Sequence, residues 1–214
     1  MRCLVFGATG YTGRHVVSQL VQRGHTVFAH TRSPSQTFLP GVQVVQCAWS
    51  DDAIRTCVQE AAPDVIFLLL GTTQKRMRAE HASYETVDVG LTRMAAQAAS
   101  TLEQKPRLIL LSALGASEKS MSAYSKSRAH MEEAVRASGC PWCLVRASFI
   151  TGPDRQEYRP LERGAAVVFT GLLRGVSALG GKAFAERYRP RTGAEWAEVL
   201  VHAAEEKRSG VVTV

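Results

Sequence analysis

The sequence predicts a single α/β domain built around a doubly wound parallel sheet. Short apolar segments alternate with segments of helical periodicity along the 214 residues, an order typical of repeated strand–helix–strand units. The apolar segments are continuous rather than alternating, which indicates strands that are buried on both faces. A glycine-rich segment separates the first strand from the first helix. No repeat or low-complexity linker divides the chain, so residues 1–214 are expected to form one domain.

The predicted elements follow one another in a regular order. The first strand is short and apolar, and the helix after it has apolar residues at helical spacing. Asp51 or Asp52 is expected to cap the second helix. The predicted strands cover residues 3–6, 26–30, 42–47, 64–70, 107–111, 142–147 and 211–214. The predicted helices cover residues 14–21, 51–62, 83–100, 124–135 and 194–206.

Residues 7–13 read G-A-T-G-Y-T-G and lie between the first strand and the first helix. The start of a helix presents backbone N–H groups and a partial positive charge, which favour a bound anion. Small residues let a pyrophosphate approach the backbone, and Gly13 lets the helix pack closely on the strand. A tight turn would use the same glycines, but the strand–loop–helix order favours a dinucleotide. The predicted pyrophosphate-binding residues are Gly7, Thr9, Gly10, Tyr11, Thr12 and Gly13.

The end of the second strand indicates which dinucleotide is bound. An acidic residue about 20 residues after the glycines would hold the ribose 2′-hydroxyl of NAD. No Asp or Glu occurs between Met1 and Ser50, and Arg32 stands at the expected position. A guanidinium suits a 2′-phosphate by its charge and its fork of N–H donors. We therefore expect NADP(H) as the cofactor, although a solvated arginine would also suit the end of a strand.

The carboxyl end of the fourth strand is the next expected cofactor contact, because ligands of doubly wound sheets lie beyond the carboxyl ends of the strands. Leu70, Gly71 and Thr72 end this strand, and Gly71 would let the backbone pass close to the cofactor. The basic loop that follows could contact a substrate anion, but a solvated loop is the favoured interpretation of Lys75, Arg76 and Arg78.

Three polar residues after the fifth strand suit proton transfer. Ser112 stands at the carboxyl end of the strand, and Tyr124 opens the next helix. Arg128 lies four residues on, on the same helical face as Tyr124. An unperturbed tyrosine titrates near ~10 and needs a nearby cation to act at neutral pH.

This arrangement resembles the Ser–Tyr–Lys group of the short-chain dehydrogenase/reductases. The resemblance implies that Tyr124 exchanges a proton with a carbonyl oxygen while hydride moves to or from the nicotinamide. It implies that Ser112 orients that oxygen, and that the third residue binds the ribose and lowers the tyrosine pKa. The chain departs from the pattern because Arg128 replaces the lysine and supplies charge without a compact ammonium. Lys126 is two residues from Tyr124 and points elsewhere on a helix.

Three further stretches make the chain similar to a narrower group. They are residues 70–73 (L-G-T-T), residues 110–112 (L-L-S) with Tyr124 twelve residues after the serine, and residues 154–160 (D-R-Q-E-Y-R-P). The group comprises the Tat-interacting-protein 30-like and NmrA-like NAD(P)H-binding proteins, which are atypical short-chain dehydrogenase/reductases. The resemblance implies a Rossmann-type fold, NADPH binding and a small C-terminal substrate-side extension, for which residues 148–190 are the candidate. It also implies that several relatives act as regulators.

Two functions from different classes remain open. The first is an NADP-dependent oxidoreductase acting on a small carbonyl or alcohol, with Tyr124 as acid/base, Ser112 as orienter and Arg128 as cationic partner. The second is a non-catalytic NADPH-binding regulator or sensor, which the missing lysine favours. A flavin or quinone reductase, which needs no catalytic tyrosine, is a weaker alternative. In the first case Arg155 or Arg159 would meet an acidic substrate.

The net charge and the cysteine content limit the kinds of binding partner and the cellular compartment expected for the protein. The net charge of +7 suits a basic cleft for a phosphate-rich cofactor, and no nucleic-acid motif or block of five like charges is present. We expect a small-molecule substrate, no nucleic-acid or membrane partner, and no metal site, with a homodimer left open. The five scattered cysteines indicate reduced thiols, and Cys140 and Cys143 are expected to serve turn and strand packing. No signal peptide precedes the first strand, so a cytoplasmic location is expected.

Overall fold

A seven-stranded parallel sheet lies at the centre of the fold. The computed structural model describes residues 1–32, 37–72, 77, 82–152 and 188–213. The strands in these ranges are β1 (Arg2–Phe6), β2 (Thr26–Thr31), β3 (Gln43–Gln46), β4 (Val65–Leu68), β5 (Arg107–Ala113), β6 (Trp142–Ala147), β7 (Ile150–Thr151), β8 (Arg191–Thr192) and β9 (Gly210–Val212). The large sheet has the order β3-β2-β1-β4-β5-β6-β9, and all its neighbouring strands are parallel. The strand order reverses between β1 and β4, and doubly wound sheets bind their ligands at this point.

Helices cover both faces of the sheet, which confirms the predicted doubly wound α/β fold. The described helices are α1 (Tyr11–Gln22), α2 (Asp51–Ala61), α3 (Gly90–Ser100), α4 (Ala123–Ala137) and α5 (Gly193–Glu205). Helices α1 and α5 pack on one face around the fully buried Trp196, and α2, α3 and α4 pack on the other. Alternate strand residues serve the two layers, so that Val5 packs in the first and Leu4 in the second. In the described ranges, no helix combines the length and the apolar composition that a membrane-spanning segment needs.

The predicted cap of α2 is wrong. Ser50 is the N-cap residue, and its Oγ accepts a hydrogen bond of 3.3 Å from the N–H of Ala53. Ser50 keeps an extended backbone with a φ of −135°, as an N-cap residue does, whereas Asp51 and Asp52 already belong to the first helical turn. The two carboxylates interact favourably with the partial positive charge at the start of the helix, but they do not cap it.

Most strand and helix positions agree with the prediction, with differences at the ends. The sixth strand matches residues 142–147, and β5 extends to Ala113, so that Ser112 lies inside the strand rather than after it. The helix predicted over residues 83–100 begins with a π-helical turn, Glu85–Val89, and continues as α3. Such turns are frequent at functional sites.

Strands β7 and β8 form a second, two-stranded sheet that the sequence analysis does not predict. This sheet joins the described ends of the predicted substrate-side segment, because Ile150 pairs with Arg191 and Thr151 pairs with Thr192. The remainder of that segment, residues 153–187, lies outside the described residues. Five predicted substrate or surface contacts also lie outside them: Lys75, Arg76, Arg78, Arg155 and Arg159.

Cys140 and Cys143 lie on opposite faces of the sheet. Cys140 packs in the layer that contains α4, and Cys143 packs in the layer that contains α1 and α5. Burial raises the pKa of both thiols. Their sulfur atoms serve packing on two separate surfaces and do not form a pair.

Candidate cofactor and active site

The glycine loop between β1 and α1 has a backbone that only glycine allows. Gly7 has a φ of +83°, and its carbonyl accepts a hydrogen bond of 2.9 Å from the N–H of Gly10. A Cβ on Gly7 would stand 2.5 Å from the carbonyl oxygen of Leu69, and a Cβ on Gly13 would collide with the carbonyl oxygen of Gly7. The loop therefore holds β1, α1 and the segment after β4 in close contact.

The first turn of α1 fits a bound diphosphate. Gly10 is the N-cap residue, no described side chain caps the helix, and Thr9 and Gly10 are exposed. The N–H groups of the first turn and the helix dipole favour an anion here. The side chain of Tyr11 has another task, because its hydroxyl donates to the carbonyl of Thr151 in β7 over 3.2 Å. Two further predicted contacts, Thr12 and Gly13, are buried in this turn.

Arg32 lies at the carboxyl end of β2, where the sequence predicts the 2′-phosphate contact. Its guanidinium carbon stands 4.0 Å from the centre of the Trp49 ring, which follows β3. Stacking engages the face of a guanidinium, whereas a phosphate is bound through the N–H edge. Arg32 is exposed, so this geometry is compatible with a phosphate. Trp49 was not predicted as a site residue from the sequence. Its position, three residues after the end of β3, was the signal that could have identified it.

Side chains from two other elements fix the segment after β4. The carbonyl of Leu70 accepts a hydrogen bond of 2.8 Å from Nη1 of Arg128 in α4. The N–H of Thr72 donates over 2.9 Å to Oδ1 of Asp88 in the π-helical turn. Gly71, between them, is exposed, and a Cβ there would lie 3.7 Å from the Arg128 guanidinium. The three predicted cofactor contacts at this strand end therefore have a fixed backbone.

Arg128 and Asp88 form a buried ion pair. Nη2 of Arg128 stands 2.7 Å from Oδ2 of Asp88, and the two side chains are 4% and 1% exposed. Burial raises the pKa of Asp88, and the opposing effects of the Arg128 charge and the Thr72 N–H do not cancel it. The guanidinium that the resemblance assigns to the nicotinamide ribose is thus engaged inside the protein. Sequence reasoning missed Asp88, which stands three residues before Leu91 on the inward face of the predicted helix.

Tyr124 stands in the first turn of α4 and is 41% exposed. Arg128 lies against its ring, with the guanidinium carbon 4.8 Å from the ring centre, as the four-residue spacing predicts. The ring of Tyr84 contacts Tyr124 edge-on, with the ring centres 5.6 Å apart. The structure therefore brings Tyr124 and Arg128 together and adds Tyr84 beside them.

Ser112 is held by a buried carboxylate. Its hydroxyl donates over 2.6 Å to Oε1 of Glu132 in α4, and the two residues are 3% and 1% exposed. Arg146 of β6 donates to both oxygens of Glu132, through Nε at 2.8 Å and Nη2 at 2.7 Å, and Arg136 donates over 2.9 Å. Burial acts to raise the pKa of Glu132, but hydrogen bonds from Arg146 and Ser112 outweigh it and hold the pKa below its ordinary value. The Ser112 hydroxyl is therefore oriented toward α4.

Sequence reasoning missed Glu132 and Arg146. Glu132 stands four residues after Arg128, on the helical face that also carries Tyr124. A carboxylate among the apolar residues of this inward face was the signal that could have found it, because a buried carboxylate requires partners. The network joins β5, α4 and β6, and it connects Ser112 to the helix that carries Tyr124.

Known proteins similar to this chain agree with a nicotinamide cofactor. The sequence matches the family described as NAD(P)H-binding over residues 7–172. The protein fmp52, mitochondrial, of Aspergillus niger is 27% identical over 187 residues, which cover 83% of this chain and 75% of that protein. The ceramide reductase of Caulobacter vibrioides is 31% identical over 154 residues, which cover 72% of this chain and 47% of that protein. The Bordetella bronchiseptica enzyme WbmH in complex with NAD+ has the same fold, with a TM-score of 0.70 at 16% identity over 99% of this chain and 74% of that one.

The relatives contradict the expected cytoplasmic location. The fmp52 proteins of Aspergillus niger and Aspergillus fumigatus, both similar to this chain, are named as mitochondrial. The expectation rested on the absence of a signal peptide, which does not distinguish the cytoplasm from a mitochondrial compartment. All five cysteines are free in the structure. Free thiols indicate a reducing compartment but do not distinguish one reducing compartment from another.

The family match begins at Gly7, the first glycine of the loop, and covers well over half of the chain. The parallel sheet and the glycine loop at its switch point are the structural counterparts of that match. The chain therefore belongs to the NAD(P)H-binding, oxidoreductase-like family of atypical short-chain dehydrogenase/reductases.

Proposed function

We propose that the chain is an NADP(H)-dependent oxidoreductase that moves hydride between the nicotinamide and a small carbonyl or alcohol substrate. The order of the site residues along the carboxyl edge of the sheet is the observation that supports this proposal. Neighbouring strands β2, β1, β4 and β5 lead, in that order, to Arg32, the glycine loop, Leu70 and Ser112. An extended NADP molecule presents its 2′-phosphate, its pyrophosphate and its nicotinamide in the same order.

The residues along this edge suit those groups chemically. Arg32 offers a guanidinium to the 2′-phosphate. The first 50 residues contain no Asp or Glu that could instead hold the ribose 2′-hydroxyl of NAD. The glycine loop and the first turn of α1 suit the pyrophosphate. The fixed backbone of Leu70, Gly71 and Thr72 suits the nicotinamide half, because Gly71 leaves room for close approach.

Tyr124 is the proposed acid/base. When bound, the nicotinamide supplies or accepts the hydride, and Tyr124 holds the proton that the substrate oxygen gains or loses. Its exposure at the start of α4 gives a substrate access to it. Arg128 provides positive charge against the face of the ring. The proton of Ser112 is directed at Glu132, so the Ser112 oxygen is suited to accept a hydrogen bond from a substrate hydroxyl.

A second function, a non-catalytic NADPH-binding regulator, is favoured by one specific observation. Arg128 is committed to Asp88 and to the Leu70 carbonyl, so its charge is matched inside the protein. A lysine in the family pattern would instead offer a compact charge to the ribose and the tyrosine. In this case the buried pair serves to shape a binding site, and no turnover accompanies NADPH binding.

Turnover by Tyr124→Phe separates the two functions. We expect wild-type protein to oxidise NADPH with at least one member of a panel of small carbonyl compounds, and Tyr124→Phe to lose about 10²-fold or more of that rate. Tyr84→Phe is the matched control, because it removes a hydroxyl from the neighbouring ring and leaves Tyr124 intact. Undiminished turnover by Tyr124→Phe would overturn the acid/base role. NADPH binding without turnover by wild-type protein across carbonyls, quinones and flavin mononucleotide would support the regulator.

A further inference from the structure

The Trp49 ring lies against the guanidinium that the proposed function assigns to the 2′-phosphate. The guanidinium carbon of Arg32 stands 4.0 Å from the centre of the ring, which is within the range of a cation–π contact. Arg32 follows β2 and Trp49 stands three residues after β3, and these two strands are neighbours in the sheet. The contact therefore joins the ends of two adjacent strands beside the proposed cofactor site.

The surrounding fold holds the Trp49 ring in place. Trp49 is half-buried and packs against the apolar layer between α2 and the sheet. The next residue, Ser50, is the N-cap of α2, so the chain on the helix side of Trp49 is fixed. On the strand side, Thr31 pairs with Gln46, which sets the level at which the two chain segments leave the sheet. The ring is thus a fixed support for the long side chain of Arg32.

The aromatic face of Trp49 is what this residue contributes to the contact. Its Nε1 is buried and has no hydrogen-bond partner among the residues that the structure describes. A buried donor without a partner is unfavourable for folding, so hydrogen bonding does not explain a tryptophan at this position. The face of a tryptophan ring attracts a cation more strongly than the face of a tyrosine or phenylalanine ring.

We propose that Trp49 is a positioning residue that sets the preference for NADPH over NADH, and that it acts through Arg32. The proposal rests on the proposed function, in which Arg32 binds the 2′-phosphate. An arginine loses rotamer freedom when it binds a phosphate, and this loss weakens binding. Stacking on Trp49 engages the face of the guanidinium before the cofactor binds, and it leaves the N–H edge to the phosphate. Arg32 is exposed, so a phosphate has access to it.

The two dinucleotides differ only at the group that Arg32 would contact. NADH carries a 2′-hydroxyl in place of the 2′-phosphate, and it gains little from a positioned guanidinium. Loss of the stacking contact and of the positioning should weaken NADPH binding about three- to tenfold. NADH binding should stay within about twofold.

Calorimetric titration of NADPH and NADH into wild-type protein and two Trp49 variants tests the proposal. Trp49→Leu keeps an apolar side chain against the α2 layer but removes the ring, so it should show the selective loss of NADPH affinity. Trp49→Phe keeps a ring face and should restore most of the preference for NADPH. An unchanged preference in Trp49→Leu, or an equal loss of affinity for both dinucleotides, would overturn the proposal.

Combination with Arg32→Ala tests whether Trp49 acts through Arg32. In that background Trp49→Leu should leave both affinities within about twofold, because the guanidinium that the ring supports is absent. A further selective loss of NADPH affinity would overturn the proposal. If wild-type protein bound neither dinucleotide, the proposed function would fail together with this proposal, whereas an NADPH preference that does not depend on Trp49 would overturn this proposal alone.

Tryptophan fluorescence provides a second test that needs only the conservative variant Trp49→Phe. The chain has two other tryptophans, Trp142 at the start of β6 and the fully buried Trp196 in α5. Adenosine 2′,5′-bisphosphate, which carries the 2′-phosphate without a nicotinamide, should change the emission of wild-type protein and change that of Trp49→Phe much less. Adenosine 5′-monophosphate, which lacks the 2′-phosphate, should leave both unchanged. An equal change in the two proteins with the bisphosphate would overturn the proposal.

Discussion

Removal of either member of the buried Arg128–Asp88 pair should destabilise the protein more than removal of both. Each single replacement, Asp88→Leu or Arg128→Met, leaves the other charge buried without its partner, because the two side chains are 1% and 4% exposed. An uncompensated buried charge costs about 3–5 kcal/mol. That is a large share of the ~5–15 kcal/mol by which native domains are stable.

The double replacement removes both charges together with their desolvation cost. Two backbone groups still lose partners, the Leu70 carbonyl and the Thr72 N–H, and each loss costs about 1 kcal/mol. We therefore expect the double variant to lose about 2 kcal/mol, less than either single variant. The raised pKa of Asp88 agrees with this expectation, since burial disfavours its charged form more than Arg128 favours it.

Urea unfolding followed by tryptophan fluorescence measures these free energies, and the fully buried Trp196 contributes to the signal. Arg55→Ala is the control, because Arg55 belongs to an ion pair of 3.5 Å whose side chains are 50% and 93% exposed. That variant should lose less than about 1 kcal/mol. If the single variants of the buried pair were as stable as Arg55→Ala, the pair would not hold two desolvated charges together, and Arg128 would be available to a cofactor ribose.

Three further changes test other parts of the account. Gly13→Ala should abolish NADPH binding in calorimetry, because a Cβ at this position collides with the carbonyl oxygen of Gly7. The control Gly90→Ala should bind NADPH as wild type does, because its Cβ makes an ordinary contact of 3.6 Å. Equal NADPH binding by the two variants would contradict the loop geometry. The pKa of Glu132 in the folded protein lies below its ordinary value of 4.5, so the ionised carboxylate stabilises the fold above pH 4.5. This stabilisation is lost as the pH falls through the lower folded-state pKa. Glu132→Gln should therefore show a shallower loss of stability below pH 4.5 in urea titrations, and an unchanged acid slope would count against the network. Thr192→Ala removes the capping box of α5 and should cost about 0.5–2 kcal/mol in thermal unfolding, and an unchanged melting temperature would argue against that cap.

Features with a local cause were predictable from the sequence. The glycine loop is one, because its conformation depends on seven consecutive residues between a strand and a helix. The contact of Tyr124 with Arg128 is another, because four-residue spacing on a helix brings side chains together. The alternating order of strands and helices likewise predicted the parallel sheet.

Partners that are distant in sequence were not predictable. Asp88 pairs with Arg128, 40 residues later, and Glu132 pairs with Ser112 and Arg146 from two different strands. Periodicity places these carboxylates on inward helical faces but does not say which cation each one meets. The cap of α2 was missed for a smaller reason, since Ser50 and the two aspartates after it are all good capping residues.

The cofactor preference of the site is measured by calorimetric titration of NADPH and NADH into wild-type protein, Arg32→Ala and the control Arg55→Ala. We expect wild-type protein and Arg55→Ala to bind NADPH about tenfold or more tightly than NADH, since a phosphate contact to a charged group is worth about 1.5–3 kcal/mol. Arg32→Ala should bind both dinucleotides equally, with its loss confined to NADPH. Binding of neither dinucleotide by wild-type protein would show that the glycine loop holds no cofactor. An NADPH preference that survives in Arg32→Ala would show that Arg32 does not bind the 2′-phosphate.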